Sequence, residues 1–221
     1  MGKELVPWHV IEDVPTLNGQ PILNYPWLNV YRGVDWGFFP DPAVCLWAAV
    51  LPNKVSVIFK ERSWSRTLAV DVAAHIKRES EGLRVVETFC DPSMFIKTGV
   101  TTFSIGELFE QHGIPLTQSI NRRDLLGYAI HQYLNQIIDG RPQLQIVQPI
   151  GPYGCKDLIR TLPQIRMDPN DATKMAEGDD HWAMALAYIC AGSASPSQKP
   201  GRESGTPFWM KPKRSHQRIY R

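Results

Sequence analysis

Asn29-Val-Tyr-Arg-Gly-Val-Asp35, Ala43-Val-Cys-Leu-Trp-Ala-Ala-Val50 and Val55-Ser-Val-Ile-Phe59 decide the fold. All three are rich in residues that favour extended backbone, and Pro52-Asn53 supplies a turn between the second and third, so they read as an antiparallel meander. The middle segment is apolar throughout and is expected at the sheet centre. A helix is predicted over 66–80, where Leu68, Val72 and Ile76 recur every four residues with Ala69 and Ala73 beside them; Gly82 ends it. A fourth strand, 83–89, stops at Cys90-Asp-Pro92.

Beyond this block, Ser104 and Glu107 have the spacing of a capping box ahead of a short helix ending near His112-Gly113. A long amphipathic helix is expected over 121–138, with Leu125, Tyr128, Ala129 and Tyr133 among its apolar positions. A fifth strand over 144–147, a short helix over 156–162, a polar loop over 168–178 and a helix apolar on all sides over 182–190 complete the pattern. Strands leading into crossover units predict an α/β domain whose mixed sheet has five strands or more and helices on both faces.

This domain is expected over residues 29–192. Residues 1–28 hold Pro7, Pro15, Pro21 and Pro26 and read as a linker or N-terminal arm, and 193–221 read as a basic, flexible tail. From 196 onward seven Lys or Arg face one acid, Glu203, a net of +6; the preceding 195 residues hold 17 basic and 21 acidic groups, a net of −4. An acidic body with a basic tail fits a polyanionic partner or a solubilising extension. Apolar residues make up 43% of the 221 and charged residues 21%, which excludes a disordered chain. No apolar run reaches eighteen residues, so no membrane-spanning helix is expected. Cys45, Cys90, Cys155 and Cys190 are far apart with no zinc-ligand spacing, and reduced thiols in a cytosolic protein are the expectation.

Three acidic positions stand out. Asp35 ends the first strand, Asp91 follows the fourth, and Asp179-Asp180 opens the last helix. If strand four lies parallel beside strand one, about 4.8 Å away, Asp35 and Asp91 share one sheet end, and the last helix can bring Asp179 or Asp180 to them. Clustered carboxylates repel. Mg²⁺ or Mn²⁺, which prefer carboxylate oxygens, would remove that cost, and two such ions about 3.5–4 Å apart suit phosphodiester hydrolysis. Each acid also has a plainer role open to it: a turn cap for Asp35, an Asx turn for Asp91, a helix N-cap for Asp179 or Asp180.

Tyr31-Arg-Gly-Val-Asp-Trp-Gly-Phe-Phe-Pro-Asp-Pro-Ala43, Glu87-Thr-Phe-Cys-Asp-Pro-Ser93 and Lys174-Met-Ala-Glu-Gly-Asp-Asp-His-Trp-Ala-Met-Ala-Leu-Ala-Tyr188 resemble, in order and spacing, three motifs of the nuclease domain of the large terminase subunit of tailed bacteriophages. The resemblance implies a ribonuclease H-like fold and metal-dependent endonuclease activity on concatemeric double-stranded DNA during viral genome packaging. It implies two Mg²⁺ or Mn²⁺ ions, with Asp35, Asp91 and one or both of Asp179 and Asp180 as catalytic metal ligands. Asp41, six residues after Asp35, holds the second metal or a water, or caps the turn before Pro42. The implied setting is the host cytoplasm, with the packaging ATPase domain, portal and small terminase subunit as partners and no membrane. The chain departs from the pattern twice. It has no G-x-x-x-x-G-K-[ST] loop, so it reads as a nuclease domain without its ATPase and no ATP is expected. Met184 stands where many relatives have a further Asp, which leaves open which of Asp179 and Asp180 is the direct ligand.

Around these acids, His181 either positions water or assists the leaving group, or has a structural role, with the structural role favoured, and Lys174 is either a phosphate neutraliser or a solvated loop residue. Arg62, Arg66, Arg122 and Arg123, with Arg160 and Arg166, are candidate contacts to the DNA backbone. Two other readings stand beside the packaging nuclease: a junction resolvase-like nuclease of the same fold, and a non-catalytic DNA- or portal-binding module whose acids are structural.

Overall fold

The computed structural model describes residues 9–97, 102–149, 151–166, 168–171, 175–176, 178–192 and 195–199. Seven strands form the main sheet: β1 (Val10–Ile11), β2 (Asn29–Asp35), β3 (Ala43–Val50), β4 (Ser56–Trp64), β5 (Val85–Cys90), β6 (Thr117–Gln118) and β7 (Leu144–Val147). Their order is β1-β7-β4-β3-β2-β5-β6. The meander β2-β3-β4 is antiparallel, and β5 and β6 extend it in parallel on one side, β7 and β1 on the other. The expected mixed α/β sheet is therefore present, enlarged by two short edge strands. β4 runs on to Trp64 because its pairing with β3 carries Lys60, Glu61, Arg62 and Ser63 into the ladder.

Helices cover both faces. α1 (Ala69–Glu79) and α2 (Ile105–Gln111) pack on the face bearing Val30, Val34, Trp47 and Phe59. α3 (Arg123–Asn135), α4 (Lys156–Thr161) and α5 (His181–Ala191) pack on the face bearing Tyr31, Leu46, Ile58 and Phe89. Two helices differ from their expected stripes. Arg66 has φ 54° and Leu68 is an exposed N-cap, so α1 begins at Ala69 and buries Ala69, Val72, Ala73 and Ile76. α3 buries Leu126, Ile130 and Leu134, spaced every four residues, with Gly127; Leu125 and Tyr128 face outward. The capping box is as expected: the Glu107 N–H donates to Ser104 Oγ and the Ser104 N–H to Glu107 Oε2.

The described part of the N-terminal arm is packed chain. Val10–Ile11 joins the sheet beside β7, and Val14, Ile22, Leu23 and Leu28 are buried. At the other end, Ser197 is buried, its Oγ accepting the Asn29 N–H at 2.7 Å, while the Ser195 N–H donates to Tyr31 Oη at 2.8 Å. Residues 200–221, with most of the basic tail, lie outside the described residues. All four cysteines are free and buried, and no helix among the described residues is long and apolar enough to cross a membrane.

Candidate active site at the carboxyl ends of β2 and β5

The site begins with a glycine. Along β2, alternate residues Tyr31, Gly33 and Asp35 point to the α5 face. A Cβ on Gly33 would lie 2.0 Å from the Ala185 carbonyl oxygen, so only glycine admits α5 this close to the strand. His181 precedes Ala185 by four residues and Tyr188 follows it by three, which puts both on the same helix face. That face meets Asp35, which is 9% exposed: Asp35 Oδ2 lies 2.9 Å from His181 Nδ1, and Oδ1 lies 3.3 Å from Tyr188 Oη.

The parallel register pairs Gly33 with Phe89 and Val34 with Cys90, so Asp91 follows on beside Asp35. One Asp91 oxygen closes an Asx turn, accepting the Ser93 N–H at 2.6 Å; the other accepts the Tyr188 O–H at 2.9 Å. Asp180 occupies the N-cap of α5 but makes no side-chain cap bond. It is 5% exposed, and its carboxylate pairs with Arg123 Nη1 at 2.6 Å. Asp179 points outward, 3.7 Å from Arg160. Asp41 reaches His181 Nε2 at 3.3 Å from a loop folded tightly at Gly37, where a Cβ would lie 2.6 Å from the Asp41 carbonyl oxygen.

Burial pushes the Asp35 carboxyl above its ordinary range; the His181 hydrogen bond and charge pull it back, and Asp180 and Asp91 add to the rise. His181 is raised, first by its hydrogen bond to Asp35 and then by the charges of Asp35, Asp180 and Asp41, against the pull of burial. Tyr188 is driven up by burial and then by both carboxylates, so it stays a phenol. Its single proton goes to Asp91 at the shorter distance.

No family model matches the sequence, and no curated protein matches it. Solved structures do. The large terminase nuclease domain of bacteriophage SPP1, with bound Mn, matches with a TM-score of 0.56 at 16% identity, covering 83% of this chain and 97% of that one. The large terminase nuclease of thermophilic phage G20c, with bound magnesium, matches with a TM-score of 0.57 at 15% identity, over 82% and 92% of the two chains. The large terminase nuclease domain of Thermus phage P74-26 matches with a TM-score of 0.54 at 15% identity, over 85% and 95%. The chain has the fold of large terminase nuclease domains.

On this terminase-nuclease fold, the donor set suits hard divalent cations in kind: Asp35, Asp91 and Asp180 offer carboxylate oxygens, and Asp35 feels the charge of the other two. In the present arrangement the protein's own groups satisfy them: His181 on Asp35, Tyr188 between Asp35 and Asp91, Arg123 on Asp180. Among the described residues no three His, Cys, Asp or Glu side chains converge on one point.

Other expected site residues fall as follows. Lys174 lies outside the described residues. Of the arginines read as candidate contacts for DNA, Arg123 pairs with Asp180 at 2.6 Å and Arg122 with Asp124 at 2.5 Å. Arg62 bonds the Glu61 carbonyl and lies 3.4 Å from Glu79. The Arg66 guanidinium sits 4.1 Å from the Phe39 ring centroid. Sequence reasoning missed Tyr188, which looked like one more apolar position of a buried helix. The signal was its spacing, seven residues after His181 and so on the same face.

Proposed function

We propose that residues 29–192 form the nuclease domain of a phage packaging enzyme, an endonuclease that hydrolyses phosphodiester bonds of concatemeric double-stranded DNA. In this reading two Mg²⁺ or Mn²⁺ ions are held by Asp35, Asp91 and Asp180, with Asp41 at the rim. The observation that carries it is Asp35, a carboxylate buried at a strand end between two other carboxylates, on a fold shared with large terminase nucleases. A carboxylate cluster placed for structure alone would cost stability without return.

Divalent ions at this site would supply the positive charge that activates water and neutralises the leaving oxygen. The chain's own residues do the rest. β2 and β5 fix Asp35 and Asp91 side by side, and Tyr188 holds its proton toward Asp91. Arg123 orients Asp180, and His181 holds Asp35 through Nδ1 and Asp41 through Nε2. Asp180 is assigned over Asp179, which faces outward. The wider setting, with an ATPase domain, portal and small terminase subunit in the host cytoplasm, belongs to the same proposal.

The test is plasmid cleavage with EDTA, Mg²⁺ or Mn²⁺, using wild type and Asp35→Asn, with calorimetric titration of Mn²⁺ alongside. Cleavage is expected only with metal, and Asp35→Asn should lose about 1,000-fold or more in rate, corresponding to several kcal/mol of charge stabilisation. Full cleavage by Asp35→Asn would sink the assignment. One observation favours the second reading, a DNA- or portal-binding module: each acid already has a partner within the protein. That reading predicts salt-sensitive DNA binding with no Mn²⁺ binding heat and no cutting.

A further inference from the structure

The loop that carries Asp41 also carries two aromatic side chains in solvent. Phe38 is 46% exposed and Phe39 58%. A phenylalanine left in water forgoes about 1.5–3 kcal/mol of burial, and two in succession within a few residues of a buried carboxylate call for an explanation. The loop is held in place. Gly37 lets it fold back on residues 41 and 42, Asp41 reaches His181 at 3.3 Å, and the Arg66 N–H donates to the Phe38 carbonyl at 2.7 Å.

Arg66 completes the arrangement. Its φ of 54° lies in the left-handed region, which a non-glycine residue enters at a cost. From there its guanidinium lies over the Phe39 ring, 4.1 Å from the centroid. Among the described residues no carboxylate pairs with it. The result is an exposed ring, one face against a cation with no carboxylate partner among the described residues, four residues along the chain from Asp35.

We propose that Phe39, backed by Arg66, is a base-binding element that stacks on an unpaired or displaced DNA base next to the phosphate at the carboxylate site. The inference rests on the nuclease reading above and adds to it a preference for DNA whose bases can leave the helix near the cut. Ring and guanidinium match the two parts of a nucleotide: the ring takes the base through its π-face, whatever the base, and the guanidinium takes the neighbouring phosphate. An apolar protein partner would gain nothing from a cation that no carboxylate pairs among the described residues.

The test uses Phe39→Ala, Phe39→Trp and Arg66→Ala in an Asp35→Asn background, so that DNA remains uncut. The probe is a single-stranded oligonucleotide of about twelve nucleotides carrying 2-aminopurine, with the fully paired duplex of the same sequence beside it. Phe39→Ala should weaken single-strand binding by about 5- to 100-fold and abolish the stacking quench, while Phe39→Trp keeps both. Arg66→Ala should lower the salt slope of binding by about one. Phe39→Ala binding the single strand as tightly as its parent, with an unchanged quench, overturns the proposal. If wild type with Asp35 intact still cuts plasmid in Mn²⁺, only the stacking element has failed. If wild type neither binds nor cuts DNA, the nuclease reading falls and takes this inference with it.

Discussion

Strand β2 buries a charge on each of its faces, Arg32 on one and Asp35 on the other, three residues apart. Arg32 is 4% exposed. Its Nε and Nη2 donate to Thr88 Oγ1 at 2.9 and 2.7 Å, and its Nη1 donates to Ser80 Oγ at 3.1 Å. Ser80 is the C-cap of α1; its hydroxyl donates to the Ile76 carbonyl and accepts the Trp47 indole N–H. Arg32 thus has neutral partners fixed by secondary structure, at a helix C-terminus that favours positive charge. Burial lowers its pKa, and no carboxylate offsets that. Asp35 differs in kind: its surroundings are other carboxylates, an imidazole and a phenol, groups that move protons or exchange partners. Burial alone does not separate a structural charge from a functional one; the chemistry of the partners does.

The contrast breaks if the two charges respond alike to removal. Arg32→Ala takes away a packed side chain and strands two hydroxyls, and should cost about 3 kcal/mol, or roughly 6–12 °C in melting temperature for a domain of this size. Cleavage per folded molecule should not change. Asp35→Asn should leave the melting temperature the same or higher, since it relieves repulsion with Asp91 and Asp180, while cleavage disappears. Thermal melts and plasmid assays on the same preparations decide the matter. An Arg32→Ala protein that melts normally yet fails to cut would place Arg32 in the chemistry and end the distinction.

A smaller effect is expected at Tyr188, where the two kinds of residue meet: an apolar ring in the core and a hydroxyl between carboxylates. Tyr188→Phe keeps the packing and removes a hydrogen bond to a charged group, worth about 1.5–3 kcal/mol. Metal-free stability should fall by about that much, and cleavage by roughly tenfold as Asp91 loses its orientation. A variant that cuts at the wild-type rate would make the hydroxyl purely structural.

How much of this was legible follows from where each signal lies along the chain. β2 and β3 begin and end at the expected residues because unbroken extended-favouring runs carry their own boundaries. The Asp35–Asp91 pairing followed from the crossover between antiparallel meander and parallel strand. β1 and β6 were not legible: each is two residues long and exists only because a neighbour's edge is free to pair. The same holds for the rotation of α3, set by Leu126, Ile130 and Leu134 meeting α5, and for the acidic pair: an N-cap was expected at Asp179 or Asp180 without a choice between them, and Asp180 takes it while its carboxylate turns to Arg123 instead of capping. Residues far apart in sequence supply those partners, and spacing carries no trace of them.

The smallest predicted effect tests whether the cluster around Arg32 is structural throughout. Lys60 extends from β4 toward the α1 C-terminus, where Nζ donates to the Glu79 carbonyl at 2.7 Å and pairs with the Glu79 carboxylate at 2.5 Å. The hydrogen bond from Lys60 is the main reason Glu79 titrates below the ordinary glutamate range. A carboxyl whose folded pKa lies below its unfolded value stabilises the fold at pH above the unfolded value, and that contribution disappears as pH falls through the folded one. Glu79→Gln should therefore cost about 1 kcal/mol near neutrality, with the gap between variant and wild type closing as acid protonates Glu79. Urea unfolding of both proteins along a descending pH series reads this directly. A gap that persists in acid would mean that the Gln amide simply fits the α1 C-terminus poorly, whereas one that closes while cleavage stays equal at neutral pH assigns Lys60 and Glu79, like Arg32, to the fold and leaves the chemistry to the opposite face of β2.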